Sequence, residues 1–382
     1  MKRSISAITV AALLISGSLS ATAANPKTST IPIDLPVPQI ISFENALKQY
    51  EDIPTTAWRN VQDVIAENAD VRIPTTIVVG PTTNTTSQIV TNLLKREYRL
   101  WRGFNQVPSY AGIVYNAKDQ AWAESRWIKL ASELNLTKSP SSYINNHLRA
   151  GCAFSAGVAT ECYAGMSLTF PGKNSGFAFF GVQEGNFWEA GSSELGPISQ
   201  VTHEYAHSAQ FAQWIGSKLN SKYRDLAASS HENMPCWFSE GQANAIGIAV
   251  VAENSSDYLK ARDNSVRRLV NKNMPIAPSL TETGLTENAI TNFLTNQKTP
   301  SCYYPSKNGD YQLGYSIGYA AVEALIAIGG PQATLAIQRK NALGLTWKKA
   351  FKSVYGISWE KGMSVLGKVL AAEYAAKPMN HR

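Results

Sequence analysis

The chain has 382 residues, a formal net charge of +7, 44% hydrophobic residues and 16% charged residues. This length is enough for one large or two ordinary domains with a buried core, and the hydrophobic share is that of a globular protein. Because no cluster of Lys and Arg is interleaved with aromatic residues, the sequence predicts no nucleic-acid partner.

The N-terminus predicts export. Met1-Lys2-Arg3 precedes an apolar run from Ile8 to Ile15, and Ala21-Thr22-Ala23 places small residues where a signal peptidase would cut. This is the pattern of a signal peptide, assigned to residues 1–23, and its apolar run is too short to span a membrane. We therefore expect a secreted or periplasmic protein, cleaved near Ala23, with no membrane span in the mature chain.

Residues 24–72 are predicted to form an N-terminal extension to which the sequence assigns no function. Four prolines between Asn25 and Gln39 favour an extended arm. Two short helices are expected at 43–50 and 56–66, separated by Pro54, because proline lacks the N–H that a continuous helix needs.

The next part, residues 73–216, is predicted to alternate strands with helices. The predicted strands are 73–80, 110–115, 164–170 and 176–182, and the predicted helices are 87–101 and 120–134. This alternation is typical of a layered α/β unit. We expect the last strand at a sheet edge, where main-chain hydrogen bonds can align an extended substrate.

A further helix, expected to start at Gly196-Pro197, carries the pattern His-Glu-x-x-His. His203 and His207 are four residues apart and share one helix face, so both imidazoles can bind one Zn²⁺. Glu204 lies one position round the helix, where it can act as general base toward the water that the metal activates. A catalytic zinc site needs a third protein ligand, which has to come from elsewhere in the chain.

The cysteines indicate an oxidising compartment. There are four of them, Cys152, Cys162, Cys236 and Cys302, and an even number in an exported chain predicts two disulfides. Three pairings are possible. We favour Cys152 with Cys162, closing a local loop, and Cys236 with Cys302. The alternative for Cys236 is a thiolate metal ligand.

A second motif follows the His-Glu-x-x-His helix. The stretch Pro235-x-Trp237-x-x-Glu240-Gly241-x-Ala243, read together with that helix, resembles the gluzincin zinc peptidases, in particular the peptidase MA-like group. The resemblance implies Glu240 as third ligand and one Zn²⁺ held by a His₂Glu set, which is a typical catalytic set. It also suggests that Asn244, one turn further on, orients a zinc-bound histidine. His231 and Cys236 remain alternative third ligands.

Two further features bear on substrate handling. Tyr311-x-x-Gly314 is similar to the place where aminopeptidase-type gluzincins carry a phenol that hydrogen-bonds the reacting carbonyl oxygen, and Tyr315 is the second choice. Those exopeptidases also carry Gly-x-Met-Glu-Asn, whose glutamate holds the free amine of the substrate. Before His203, only residues 183–186 show a weak similarity to that stretch. The lack of a match favours cleavage without amino-terminal anchoring.

The resemblance implies a thermolysin-like α+β fold. A mixed sheet with helices would occupy residues 73–216, and a mostly helical lobe at 217–382 would carry the third ligand. It implies an exported metallopeptidase with a peptide or protein substrate. Two other functions stay open, namely a catalytically inactive zinc-site protein that binds peptides or cell wall, and a carbohydrate-binding protein that uses exposed aromatic residues.

Overall fold

The computed structural model describes residues 40–170, 172–183, 197–222, 225–267, 284–296 and 313–376. Within these ranges the fold is mixed α+β, with a sheet and its helices first and a helical region after them, which confirms the predicted class. The predicted signal peptide and the whole proline-rich arm lie outside the described residues.

The secondary structure follows the chain in a simple order. The strands are β1 (Thr75–Val79), β2 (Tyr110–Tyr115), β3 (Cys152–Ser155), β4 (Val158–Cys162), β5 (Gly165–Thr169) and β6 (Gly176–Gly181). The helices are α1 (Ile53–Glu67), α2 (Ser87–Leu100), α3 (Gln120–Glu133), α4 (Pro197–Ala212), α5 (Leu226–Asn233), α6 (Cys236–Val251), α7 (Ser255–Val266), α8 (Glu287–Asn296), α9 (Tyr319–Gly329), α10 (Pro331–Ala342), α11 (Trp347–Tyr355) and α12 (Trp359–Ala375). Short π-helical turns occupy Ile144–Leu148 and Gly314–Gly318.

Four strands form the main sheet in the order β1-β2-β6-β5. The first three are parallel, and β5 runs antiparallel to β6 at the edge. The strand that we expected at an edge, 176–182, is therefore an inner strand, and β5 takes the edge. Both faces of this inner strand, β6, are buried. Phe177 and Phe179 pack against Trp127 of α3 on one face, while Ala178 and Phe180 join the core on the other.

The first helix also differs from its prediction. Pro54 does not separate two helices but lies in the first turn of α1, where its missing N–H costs no helical hydrogen bond. Residues 43–49 form turns. The α1 helix is bound to the helical region by side-chain amides: Asn60 Nδ2 donates to the Ile326 carbonyl at 3.0 Å and Gln62 Nε2 donates to the Ala249 carbonyl at 2.6 Å.

The disulfide at Cys152–Cys162 is present, as predicted. The two cysteines are directly opposite each other in the antiparallel β3–β4 hairpin, so the short loop between them brings them together without help from the rest of the fold. Cys236 is also disulfide-bonded and is therefore no thiolate ligand. Its predicted partner, Cys302, lies outside the described residues.

Helix α6 runs through the centre of the helical region. Every residue from Cys236 to Val250 is buried, which is the pattern of a helix surrounded by other helices. Among the described helices, none is by itself long and apolar enough to cross a bilayer. One pair of consecutive helical segments, Gly314–Gly329 and Pro331–Ala342, is long and apolar enough only when the two are taken together, and the angle between them is 103°.

The α2 helix carries a buried carboxyl group, that of Glu97. Glu97 of α2 has no exposed surface. Trp101 Nε1 approaches one carboxyl oxygen at 3.4 Å, and the other oxygen, Oε2, has no hydrogen-bond partner. Burial therefore raises the pKa of Glu97 well above its ordinary 4.5, opposed only by the Trp101 hydrogen bond.

We expect Glu97→Gln to change how stability depends on pH. Because the folded-state pKa is raised, the contribution of Glu97 is fully present below the unfolded pKa of 4.5 and is lost as the pH rises through the folded pKa. The variant should therefore gain stability relative to the parent as the pH rises from 4.5 toward the folded-state pKa, by up to about 1.4 kcal/mol per pH unit. Urea unfolding of both proteins across this range measures the difference, and identical pH profiles would contradict the assignment.

Candidate metal centre

Three predicted ligands meet at one point between α4 and α6. The Nε2 atoms of His203 and His207 are 3.1 Å apart, and Glu240 Oε2 lies 3.6 Å and 3.3 Å from them respectively. All three side chains are at least nine-tenths buried. Two imidazole nitrogens and one carboxylate oxygen facing each other at these distances can hold one metal ion. Among the residues that the structure describes, no other group of three such side chains does so.

The close packing of α4 against α6 brings the ligands together. A Cβ added to Gly247 of α6 would lie 3.0 Å from the His203 backbone nitrogen, so glycine permits the approach. Thr202 Oγ1 donates to the Gly247 carbonyl at 2.8 Å and bonds the helices at the same point. On the other side of α4, the predicted apolar stripe is buried, namely Ile198, Val201, Tyr205, Ala209 and Ala212.

Burial and mutual charge shift the pKa values of the three side chains. Burial, with repulsion from His207, lowers the pKa of His203 to about 3. Burial acts in the same direction on His207, but attraction to Glu240 outweighs it and raises the pKa of His207 to about 9. Burial would raise the pKa of Glu240, but His207 lowers it to about 2. The group thus holds one proton on His207 beside an ionised carboxylate, and a divalent cation would displace that proton.

Glu204 lies beside this group and faces the edge strand β5. Its carboxylate approaches Gly165 so closely that an added Cβ would fall 2.2 Å from Oε1. Ser167 Oγ donates to the Glu204 main-chain carbonyl at 2.5 Å. Burial raises the pKa of Glu204 to about 7, against the opposing effects of His207 and of hydrogen bonds from Ser167. A carboxyl group is therefore held between the metal ligands and the strand edge.

The two histidines have different polar neighbours. The Asn244 side chain interacts with His203 and raises the pKa of that imidazole. Asn244 Nδ2 also donates to the Tyr315 carbonyl at 3.1 Å. His207 Nδ1 lies 3.0 Å from Gln210 Oε1. The motifs predicted a role for Asn244 but none for Gln210. The sequence could have predicted this contact, because a glutamine three residues after His207 lies on the same helix face as that histidine.

Among the described residues, one tyrosine, Tyr315, lies at the site. Tyr311 lies outside the described residues. Tyr315, the second choice, stacks on the His203 ring with centroids 6.2 Å apart, and its hydrogen bond to Glu240 contributes to the low pKa of that carboxyl. Tyr315 belongs to the π-helical turn Gly314–Gly318, a local geometry that often marks functional sites.

The alternative third ligands are not part of the group. His231 of α5 has its ring 5.2 Å from that of Phe211, which separates it from His207, and burial lowers its pKa to about 4. Cys236 is excluded by its disulfide.

The stretch at 183–186, which was compared with the amine-binding motif of aminopeptidases, is described only at its first residue, where Gln183 Nε2 donates to Glu161 Oε1 at 2.6 Å. The other three residues lie outside the described ranges.

Comparison with known proteins adds no family assignment. No family model matches the chain, and neither the curated proteins nor the solved structures contain a significant match.

Proposed function

We propose that this protein is an exported zinc metallopeptidase of the gluzincin type, with a thermolysin-like arrangement of its two parts. The observation that carries the proposal is the meeting of His203, His207 and Glu240 at one buried point, with the Glu204 carboxylate beside them. The Cys152–Cys162 disulfide is compatible with an extracellular location.

The donor set fits zinc better than it fits magnesium or calcium. Two imidazoles and one carboxylate are a usual protein set for catalytic zinc, whereas magnesium and calcium prefer sites made of oxygen ligands. The three side chains come from rigid elements, two from α4 and one from α6. A bound zinc ion would supply Lewis acidity and would lower the pKa of a coordinated water toward about 7.

Glu204 has the position that a general base requires. We infer that it accepts a proton from the attacking water and then donates that proton to the leaving amine. Gly165 has no Cβ and so leaves room for the carboxylate at the strand edge, while Ser167 Oγ donates to the Glu204 main-chain carbonyl. The scissile bond would lie at this edge. A phenol would complete the site by donating a hydrogen bond to the substrate carbonyl oxygen. The motif favours Tyr311 for this role, and Tyr315 is the phenol beside His203.

The edge strand supports a peptide as substrate. Gly181 N–H donates to the Ala164 carbonyl at 3.1 Å, so the main-chain groups of Ala164 face β6. Along an antiparallel strand, residues that hydrogen-bond to the neighbouring strand alternate with residues that do not, so the main-chain groups of Gly165 and Ser167 face away from β6. An extended peptide can pair with such a free edge. Because β5, with sequence Gly-Met-Ser-Leu-Thr, carries no carboxylate that could hold a free amine, we propose cleavage within the peptide chain.

The test uses purified protein, a metal analysis and two forms of one peptide library. We expect about one zinc ion per chain, hydrolysis of both the free and the N-acetylated peptides, and loss of both activities on chelation. Hydrolysis of free N-termini alone would refute cleavage without anchoring. Bound zinc with no turnover of any peptide would favour the inactive peptide-binding alternative, and protein that never retains zinc would refute the proposal.

A further inference from the structure

Gln210 is a buried amide that links the two helices carrying the metal ligands. It has no exposed surface and lies three residues after His207 on α4. Its Oε1 is 3.0 Å from His207 Nδ1 and accepts a hydrogen bond from Ser239 Oγ at 2.8 Å. Its Nε2 donates to the Ser239 carbonyl at 2.9 Å and to Gln242 Oε1 at 3.0 Å. Every hydrogen-bonding position of this amide is therefore used.

The orientation of the Gln210 amide determines which nitrogen of His207 carries a proton. A main-chain carbonyl only accepts, so the group that faces the Ser239 carbonyl must be the Nε2 donor of Gln210. The oxygen of the amide then faces His207, and Nδ1 of that ring must donate. In neutral His207 the lone pair is therefore on Nε2, the nitrogen that faces His203 and Glu240.

The amide network continues into α10 and ends on a second main-chain carbonyl. Gln242 Oε1 also accepts from Gln338 Nε2 at 2.7 Å. Gln242 Nε2 donates to Thr334 Oγ1 at 2.6 Å, and that hydroxyl donates to the Pro331 carbonyl at 2.6 Å. The side chains of Gln242, Gln338 and Thr334 have no exposed surface. Carbonyls at both ends thus determine the direction of every hydrogen bond between them.

We propose that Gln210 is a positioning residue for the metal centre. It holds His207 in the Nδ1–H tautomer and, through Ser239, sets the distance between His207 and the adjacent ligand Glu240. The inference depends on the proposed zinc site and extends it, because it assigns metal affinity to residues that neither bind metal nor contact substrate. Hydrogen-bond partners of metal-bound histidines typically contribute a factor of about 10–100 in affinity.

The chain offers a matched control in Gln213. This glutamine is on the next turn from Gln210, has no exposed surface, and donates through Nε2 to the carbonyls of Asn105 and Ala209, each at 2.8 Å. Both acceptors are main-chain carbonyls, and neither belongs to a proposed metal ligand. Replacing Gln213 with Met therefore removes a buried amide of the same size but leaves the hydrogen bond to His207 intact.

The experiment measures zinc affinity of the parent, Gln210→Met and Gln213→Met by competition with a chelator. We expect Gln210→Met to bind zinc about 10–100-fold more weakly and Gln213→Met to bind it like the parent, even where both lower the melting temperature. In the Co²⁺-substituted proteins, the shifted exchangeable Nδ1–H proton of His207 should exchange faster with solvent in Gln210→Met only.

The outcomes separate this inference from the proposed function. A parent that retains no zinc would overturn the proposed function and this inference together. Parent-like affinity in Gln210→Met, or equal losses in both variants, would overturn the positioning role while the zinc site stands. If Gln210→Met does not fold, Ser239→Ala takes its place, with an expected weakening of about fivefold, the size of one hydrogen bond. Unchanged affinity in that variant would also overturn the inference.

Discussion

Glu204→Gln is expected to keep its zinc and to lose about 10²–10⁴-fold in kcat/KM toward peptides, the usual contribution of a positioned general base. Zinc should remain because the three converging donors, His203, His207 and Glu240, are untouched. The amide has nearly the same shape as the carboxylate but cannot accept the proton. Metal analysis and peptide hydrolysis measured on the same preparation check both halves of the prediction.

A control for this substitution is available at the surface. Glu133→Gln makes the same chemical change at an exposed ion pair with Arg126 on α3, and it should leave hydrolysis unchanged. If Glu204→Gln hydrolyses peptides at the parent rate with zinc bound, Glu204 is not the base. If it loses zinc instead, the Glu204 carboxylate is holding the metal and the division of roles is wrong.

Arg262→Met is expected to lower the free energy of unfolding by about 3–5 kcal/mol. Arg262 is 1% exposed and binds Glu323 of α9 through Nε and Nη2, at distances between 2.7 and 3.0 Å, and it also contacts Glu373 of α12. Glu323 is fully buried. Removing the guanidinium would leave two buried carboxylates facing each other without a cation, which is more costly than the loss of an exposed pair. Chemical denaturation measures the change.

Two further variants make this prediction specific. The double variant Arg262→Met, Glu323→Gln should recover part of the lost stability, because it removes one of the two uncompensated charges. Arg126→Met breaks an exposed pair, in which the Glu133 side chain is 54% exposed, and should cost no more than about 1 kcal/mol. A loss of similar size in Arg126→Met and Arg262→Met would contradict the argument from burial.

Local features of this protein were predictable from its sequence. The His203–His207 spacing follows from helix periodicity, which any four-residue step obeys. Cys152 and Cys162 are close along the chain and lie opposite each other in one hairpin, so their pairing needs no distant contact. The alternation of strands and helices predicted only a layered α/β unit. The α+β class came from the resemblance to the gluzincins. Glu240 was available only through its motif, since spacing alone left His231 and Cys236 as competitors.

Features that depend on packing between distant segments could not be read from the sequence. Whether β5 or β6 lies at the sheet edge depends on how strands pair, and both are apolar enough for either place. The link from His207 through Gln210 to Ser239 exists only because α4 and α6 pack at the close distance that Gly247 permits. Periodicity determined which residues share a helix face, and only the packing of buried helices decided which faces meet.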